Sequence, residues 1–417
     1  MRRLLVFADF DWLGAPAMVG ELCYETLRGA DSYGFRFADE WLAHHGDLFF
    51  GDDLNSYPGM QYTKPGRDIF GCFSDALPDR WGRTLLKRRE QLLARDEGRA
   101  PRRISSFDFL LGIDDFSRMG GLRFKESADG DYINASPVLR IPPIADVREL
   151  ARASQEFERS EENDLLPERR WLVQLLHPGT SLGGARPKAS VVDEDGALHV
   201  AKFPSRKDDY DVGLWEHFAH LLAREAGIDA AATRVLHPDA RYHTLLSRRF
   251  DRTPIGRRIH FASAMTLLGL TDGDNAQTGN GYIDIVDFIL QGCTNVEQNL
   301  QELYRRVAFN ICIGNSDDHF RNHGFLLTPK GWTLSPAYDL NPTLNRYQSL
   351  LISSSSNEAD LASLLRAHNE YMISEAAART IIDEVLSAMS GWQSLATRLG
   401  LPQKERDAFA HRFICSY

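Results

Sequence analysis

The stretch from Val307 to Asn322 limits the fold more than any other part of this 417-residue chain. Val307–Ile313 reads as an apolar helix that has to be buried. It runs into Gly314, and three titratable residues in a row, Asp317, Asp318 and His319, follow at once. A helix end therefore delivers two acids and an imidazole to one place. Clustered acids repel one another unless a cation or a proton sits among them, which argues against a purely structural role. The same residues also fit a helix C-cap that leads into a polar loop.

The spacing from Asp317 to Asn322 is D-x-x-x-x-N. Protein kinases use it to place an Asp that accepts the substrate hydroxyl proton and an Asn that holds Mg²⁺. Downstream, two strand-like stretches, Phe325–Leu327 and Trp332–Leu334, lead into Asp339. A second metal-binding Asp follows a hairpin in a similar relation in kinases. Asp339 could equally serve as a turn residue before Asn341-Pro342. Asp317, Asn322 and Asp339 together offer the hard oxygen ligands that Mg²⁺ takes alongside phosphates. Upstream, Ser181-Leu182-Gly183-Gly184-Ala185-Arg186-Pro187-Lys188 precedes a strand, as a phosphate-covering loop would, although it matches neither standard phosphate-loop pattern and also reads as a plain glycine turn. Lys202 lies in an apolar strand, where a phosphate-holding lysine or a solvent-reaching edge lysine would fit. Glu216, on the helix that starts near Val212, is its natural partner. The order carries the inference: glycine loop, strand lysine, helix glutamate, D-x-x-x-x-N, then an aspartate. That is the set phosphoryl transfer needs.

The rest of the chain bounds this reading. At about 150 residues per domain, the length suggests two or three domains. Lys and Arg number 48 and Asp and Glu 58, a net charge of −10, which argues against a protein that coats nucleic acid by charge alone. The five cysteines are scattered, with no C-x-x-C pair, so neither a disulfide framework nor a zinc site is expected. The apolar run Leu4–Phe7 is too short for a signal-peptide core, and no stretch approaches the ~18 apolar residues of a membrane span. A cytoplasmic protein without membrane contact is expected. The polar segment Asp146–Asn163 reads as a surface helix or linker, and the first domain boundary is placed near it. The expected division is 1–150, 151–255 with the glycine loop and Lys202, and a mainly helical 256–417.

With these residues in view, the chain resembles the HipA family, the serine/threonine kinase toxins of bacterial type II toxin–antitoxin modules. The resemblance rests on Gly314–His319 with Asn322, on Leu334–Leu340, on Ser181–Lys188, on Leu77-Pro78-Asp79-Arg80-Trp81-Gly82-Arg83, and on Arg249-Phe250-Asp251-Arg252. It implies an α+β, two-lobed protein-kinase-like fold with an extra N-terminal α+β subdomain and a mainly helical C-terminal lobe. It implies ATP and Mg²⁺, with Asp317 as catalytic base and Asn322 and Asp339 as metal ligands. Gly183, Gly184, Ala185, Lys202, Arg248, Phe250, His319 and Tyr338 would contact the nucleotide. It further implies a small helix-turn-helix antitoxin of the HipB kind as partner, DNA reached indirectly through that antitoxin, and a protein substrate such as an aminoacyl-tRNA synthetase, with growth arrest as the outcome. Ser181 occupies the place of an inactivating autophosphorylation site. A phosphate there would put about −1.5 to −2 charges beside the nucleotide phosphates. The sequence departs from the family at Arg248, where many members carry Glu, and at Arg80, where Gly is common.

Other readings are a kinase-fold enzyme acting on a small molecule or lipid, and an inert corepressor subunit. A metal-dependent hydrolase built on His319 and His323 is a third. The arginine-rich segment from Arg80 to Arg103 suits a solvated helix face, or a surface for DNA phosphates or an acidic partner.

Overall fold

The structure is a computed structural model that describes the chain apart from residues 28, 65–66, 136–140, 177–183, 185, 238–240, 344–346 and 415–417. It divides into two units. The first comprises Met1–Asp208 and His237–Ala262, and the second Asp209–Leu236 and Ser263–Tyr417. Among the described residues, no helix is long and apolar enough to cross a membrane.

In the first unit an antiparallel sheet runs in the order Gln61–Tyr62, Ala30–Phe37, Ala17–Leu27, Arg2–Ala8, Leu122–Lys125. Arg2–Ala8 alternates as a half-buried strand should, with Leu4, Val6 and Ala8 facing inward. A second group of strands pairs Lys188–Val192 with Leu198–Lys202, and that strand with Thr244–Arg248. The hairpin between the first two turns on Asp193-Glu194-Asp195-Gly196. Asp193 Oδ1 accepts from the amides of Asp195 and Ala197, and Gly196 takes φ +79°. Beside these strands, the helices Arg80–Asp96, Val147–Glu162 and Arg169–Leu176 share a core of Trp81, Leu85, Leu92, Ala153, Phe157, Leu172 and Leu175.

That core corrects one expectation. Val147–Glu162 is no bare surface helix or linker: it buries Val147, Leu150, Ala151, Ala153, Ser154 and Phe157. The buried stripe falls at i, i+3 and i+4, as an amphipathic helix requires. Its small residues, Ala and Ser, hid it among the flanking charges.

The second unit is mainly helical. Val296–Ile313 is its central element; every residue from Arg306 to Ile313 is buried, and the helix packs against Glu375–Ser390. Helix Val212–Glu225 lays Trp215 and Phe218 against Phe409 and Phe413, with Trp215 and Phe409 ring centres 4.4 Å apart. Removing each such ring from water contributes roughly 1.5–3 kcal/mol. The hairpin Gly324–Thr328 with Gly331–Leu334 leads back towards the end of the central helix.

Candidate functional site

The central helix stops at Gly314, which takes the left-handed φ of +67° and donates its amide to the carbonyls of Asn310 and Ile311. A side chain is poorly tolerated in that conformation, which explains the glycine. Asn315 continues the cap, its amide 2.9 Å from the Asn310 carbonyl. Thr343 fastens the turn from outside: its hydroxyl donates to the Gly314 carbonyl at 3.0 Å and lies 2.5 Å from Ser316 Oγ.

Past this cap the two neighbouring acids part company. Asp318 points into the protein and is 3% exposed. Its Oδ2 accepts from the Tyr282 hydroxyl at 2.7 Å and from Asn310 Nδ2 at 2.8 Å, and lies 2.7 Å from His323 Nε2. Burial alone would push this carboxyl up. His323 and the Tyr282 hydroxyl outweigh it, and the group is held below its ordinary range. An ionised carboxylate only accepts, so His323 carries its proton on Nε2.

Asp317 faces solvent. Its carboxyl is pushed up, first by partial burial and then by the negative charges of Asp339 and Asp318, with His319 opposing. Asp339 thus stands close enough to Asp317 for the two to repel. Asn322 joins them through its Nδ2, 3.4 Å from the Asp317 carbonyl.

The Asp339 segment is held with equal care. Arg306, on the central helix, donates to the Ser335 carbonyl at 2.7 Å. Ala337 exchanges backbone hydrogen bonds with Asp229 and Ala231. The Tyr338 hydroxyl donates to the Arg321 carbonyl at 2.5 Å, which ties this segment to the D-x-x-x-x-N loop. Asp339 itself adopts φ +58°, a conformation that costs a non-glycine residue free energy and that recurs at functional sites. Its Oδ1 accepts from Asn341 Nδ2 at 3.0 Å.

Two carboxylates and an amide brought together with mutual repulsion fit a hard divalent cation that takes its remaining ligands from water and phosphate. Among the described residues, no three His, Cys, Asp or Glu side chains are disposed to hold a metal on their own. His323 Nε2 is engaged by Asp318 at 2.7 Å, which among the described residues leaves Nδ1 as the free nitrogen of that ring.

The other residues singled out in the sequence fall as follows. Ser181, Gly183 and Ala185 lie outside the described residues. Gly184 is exposed with φ +102°. Lys202 ends the strand Leu198–Lys202, half-buried, opposite Lys188 on one side and Leu245 on the other. Arg248 is exposed at the end of Thr244–Arg248, and Phe250 is half-buried against Phe261. Glu216 is buried in the second unit, its Oε1 3.9 Å from His220 Nε2. His319 is half-buried, and its Nδ1 has no hydrogen-bond partner among the described residues. Sequence reasoning missed Tyr282, Asn310 and Thr343, and gave Asp318 and His323 other roles than the supports they are. It also missed that Arg249 and Asp251 form a buried ion pair, 2.5 Å apart, with Arg249 donating to the Ser117 carbonyl.

A family model for the HipA-like C-terminal domain matches residues 180–392, just over half of the chain. The chain belongs to the HipA family. The serine/threonine-protein kinase toxin HipA of Shewanella oneidensis is 27% identical over 216 residues, 45% of this chain and 48% of that protein. The chain spans about half the length of the curated relatives it matches. A chain from the HipA–HipB–operator DNA complex of Shewanella oneidensis MR-1 superposes with a TM-score of 0.66 at 17% identity, covering 98% of this chain and 94% of that one. The HipA-like, α+β kinase-like fold expected from the sequence is therefore the fold observed.

Proposed function

We propose that this chain is an ATP- and Mg²⁺-dependent serine/threonine protein kinase that acts as the toxin of a toxin–antitoxin module. The observation that carries the reading is the gathering of Asp317, Asn322 and Asp339, with Asp339 raising the Asp317 carboxyl and Asn322 on the Asp317 backbone. In this reading Asp317 accepts the proton of the substrate hydroxyl. Asn322 and Asp339 hold Mg²⁺, which would neutralise charge on the nucleotide phosphates when bound. Lys202 and the 181–188 loop would meet the phosphates, and Arg248, Phe250, His319 and Tyr338 would border the nucleotide. A raised Asp317 carboxyl suits a general base near neutral pH better than a strongly acidic one.

The Shewanella protein's complex with HipB and operator DNA supports a small helix-turn-helix antitoxin as partner, with DNA reached through it. A translation-related protein such as an aminoacyl-tRNA synthetase is the proposed substrate, in the cytoplasm, with Ser181 as the site of inactivating autophosphorylation.

The test is phosphoproteomics after expression of the parent and of Asp317→Ala. New phosphoserine or phosphothreonine sites and growth arrest are expected with the parent alone. Arrest that persists in Asp317→Ala refutes the catalytic account. For Ser181, intact-mass measurement after incubation with ATP should show one added phosphate, absent in Ser181→Ala; an unchanged mass in active enzyme refutes it.

A further inference from the structure

The N-terminal motif Leu77–Arg83 plays no part in the chemistry above, yet the structure ties it to the end of the glycine loop. Asp79 caps the helix Arg80–Asp96 by accepting from the Gly82 amide at 2.6 Å. Its other oxygen, Oδ2, lies 3.2 Å from Lys188 Nζ, and the two side chains are only 4% and 3% exposed. The Trp81 indole N–H donates to the Lys188 carbonyl at 3.1 Å, and the Trp81 amide donates to the Gly184 carbonyl at 3.4 Å. Trp81 is itself fixed edge-on against Phe157, with ring centres 5.2 Å apart. Gly184 has φ +102°, a backbone conformation that favours glycine.

Three links thus run from two residues of one motif, Asp79 and Trp81, to Gly184 and Lys188. The register adds a reason for the charge. Lys188 stands directly opposite Lys202, and directly opposed side chains share a face of the sheet. Two ammonium groups so placed repel, and Asp79 neutralises the one that is buried. A buried ion pair contributes little net stability against its desolvation cost, so geometry is the better account of its presence.

We infer that Asp79 and Trp81 are positioning residues that hold Gly184 and Lys188 in register with Lys202 for the nucleotide phosphates. This rests on the kinase reading for its consequence, though the anchoring itself does not depend on it.

The experiment uses the full chain in four forms: the parent, Trp81→Phe, Asp79→Asn and the double variant Asp79→Asn/Lys188→Met. Trp81→Phe removes the indole donor and leaves a smaller ring against Phe157. Leaving a buried carbonyl unpaired should raise KM for ATP by about fivefold or more and lower the melting temperature by a few degrees, with kcat nearly unchanged. Hydrogen–deuterium exchange of the nucleotide-free protein should quicken across residues 184–190 in both single variants and stay unchanged in Thr244–Arg248. The double variant removes both buried charges and should bring exchange at 184–190 back towards the parent.

Unchanged exchange at 184–190 together with unchanged KM in both single variants overturns the proposal. So does an equal rise in exchange across Thr244–Arg248, which would mean general loosening. If the parent transfers no phosphate, the kinase reading falls, and the exchange data alone still decide whether the anchor exists.

Discussion

Asp318→Ala isolates the brace under the candidate site. The substitution strands three donors, Tyr282 OH, Asn310 Nδ2 and His323 Nε2, all on side chains at most 3% exposed. At roughly 1–3 kcal/mol for each buried donor left without a partner, the sum has an upper bound near 9. The truncated side chain leaves room for water to take over some of these bonds, so about 3–5 kcal/mol is the expected loss, as for other broken buried charged networks. For a unit of this size, each kcal/mol moves the melting temperature by about 2–4 °C, giving a fall of about 6–20 °C. Asp318→Asn keeps one acceptor oxygen and should lose less than half as much. Circular dichroism melts of the three proteins measure this directly. A melting temperature for Asp318→Ala within about 2 °C of the parent would refute the argument, because it would mean that the three donors have alternatives the geometry does not reveal.

His260 gives a pH dependence of known sign. It is buried and stacked on Phe10 with ring centres 5.0 Å apart, and burial pushes its pKa down from 6.5 to about 3. Below pH 6.5 the unfolded chain takes up a proton that the folded chain refuses, so stability is lost as pH falls from about 6.5 towards 3, by about 2 kcal/mol at pH 5. His260→Gln should flatten that limb in urea titrations at pH 7 and 5, and equal slopes in the two proteins would contradict the assignment. Gly281→Ala should cost about 1–3 kcal/mol, since the new Cβ would meet the Leu351 carbonyl oxygen at 2.3 Å where the helix bearing Tyr282 begins; a neutral result in a thermal melt would sink it. Asp339→Asn should abolish phosphotransfer while leaving the metal-free melting temperature unchanged or higher. It removes the repulsion with Asp317, and Asn tolerates the φ of +58° well. A lower melting temperature would count against the like-charge cluster.

Local signals marked the central helix, the hairpin strands Phe325–Leu327 and Trp332–Leu334 and the helix from Val212, and the elements they did not mark have physical causes. The strand Ala17–Leu27 gave no clean alternation because the pairing shifts register between Val6 and Phe7, where Gly20 and Met18 face them. A bulge doubles the inward residues, here Val19 and Gly20, and erases the period of two. The helix Leu361–Arg366 starts no earlier, since the backbone of Asn357 accepts from Gln348 and that of Ser356 from Ile352 before Asp360 can cap it. The helix Trp392–Arg398 follows the preceding one after a single glycine and left no break to mark it.

The candidate site divides along the same line between local and distant causes. Asp317, Asn322 and Asp339 were legible because chemistry fixes their spacing along the chain. Their supports were not, because Tyr282 lies 36 residues from Asp318, and Trp81 lies 107 from Lys188. The Asp317-Asp318 pair shows where sequence stops. As text the two residues are interchangeable. In the fold, Asp318 gathers Tyr282, Asn310 and His323 and is held down as a charge the protein itself satisfies, while Asp317 is pushed up by partial burial and by Asp339. Adjacent carboxyls driven in opposite directions indicate divided roles. The satisfied one is structure, and the one in conflict with its neighbour is where a cation and a substrate proton have reason to come.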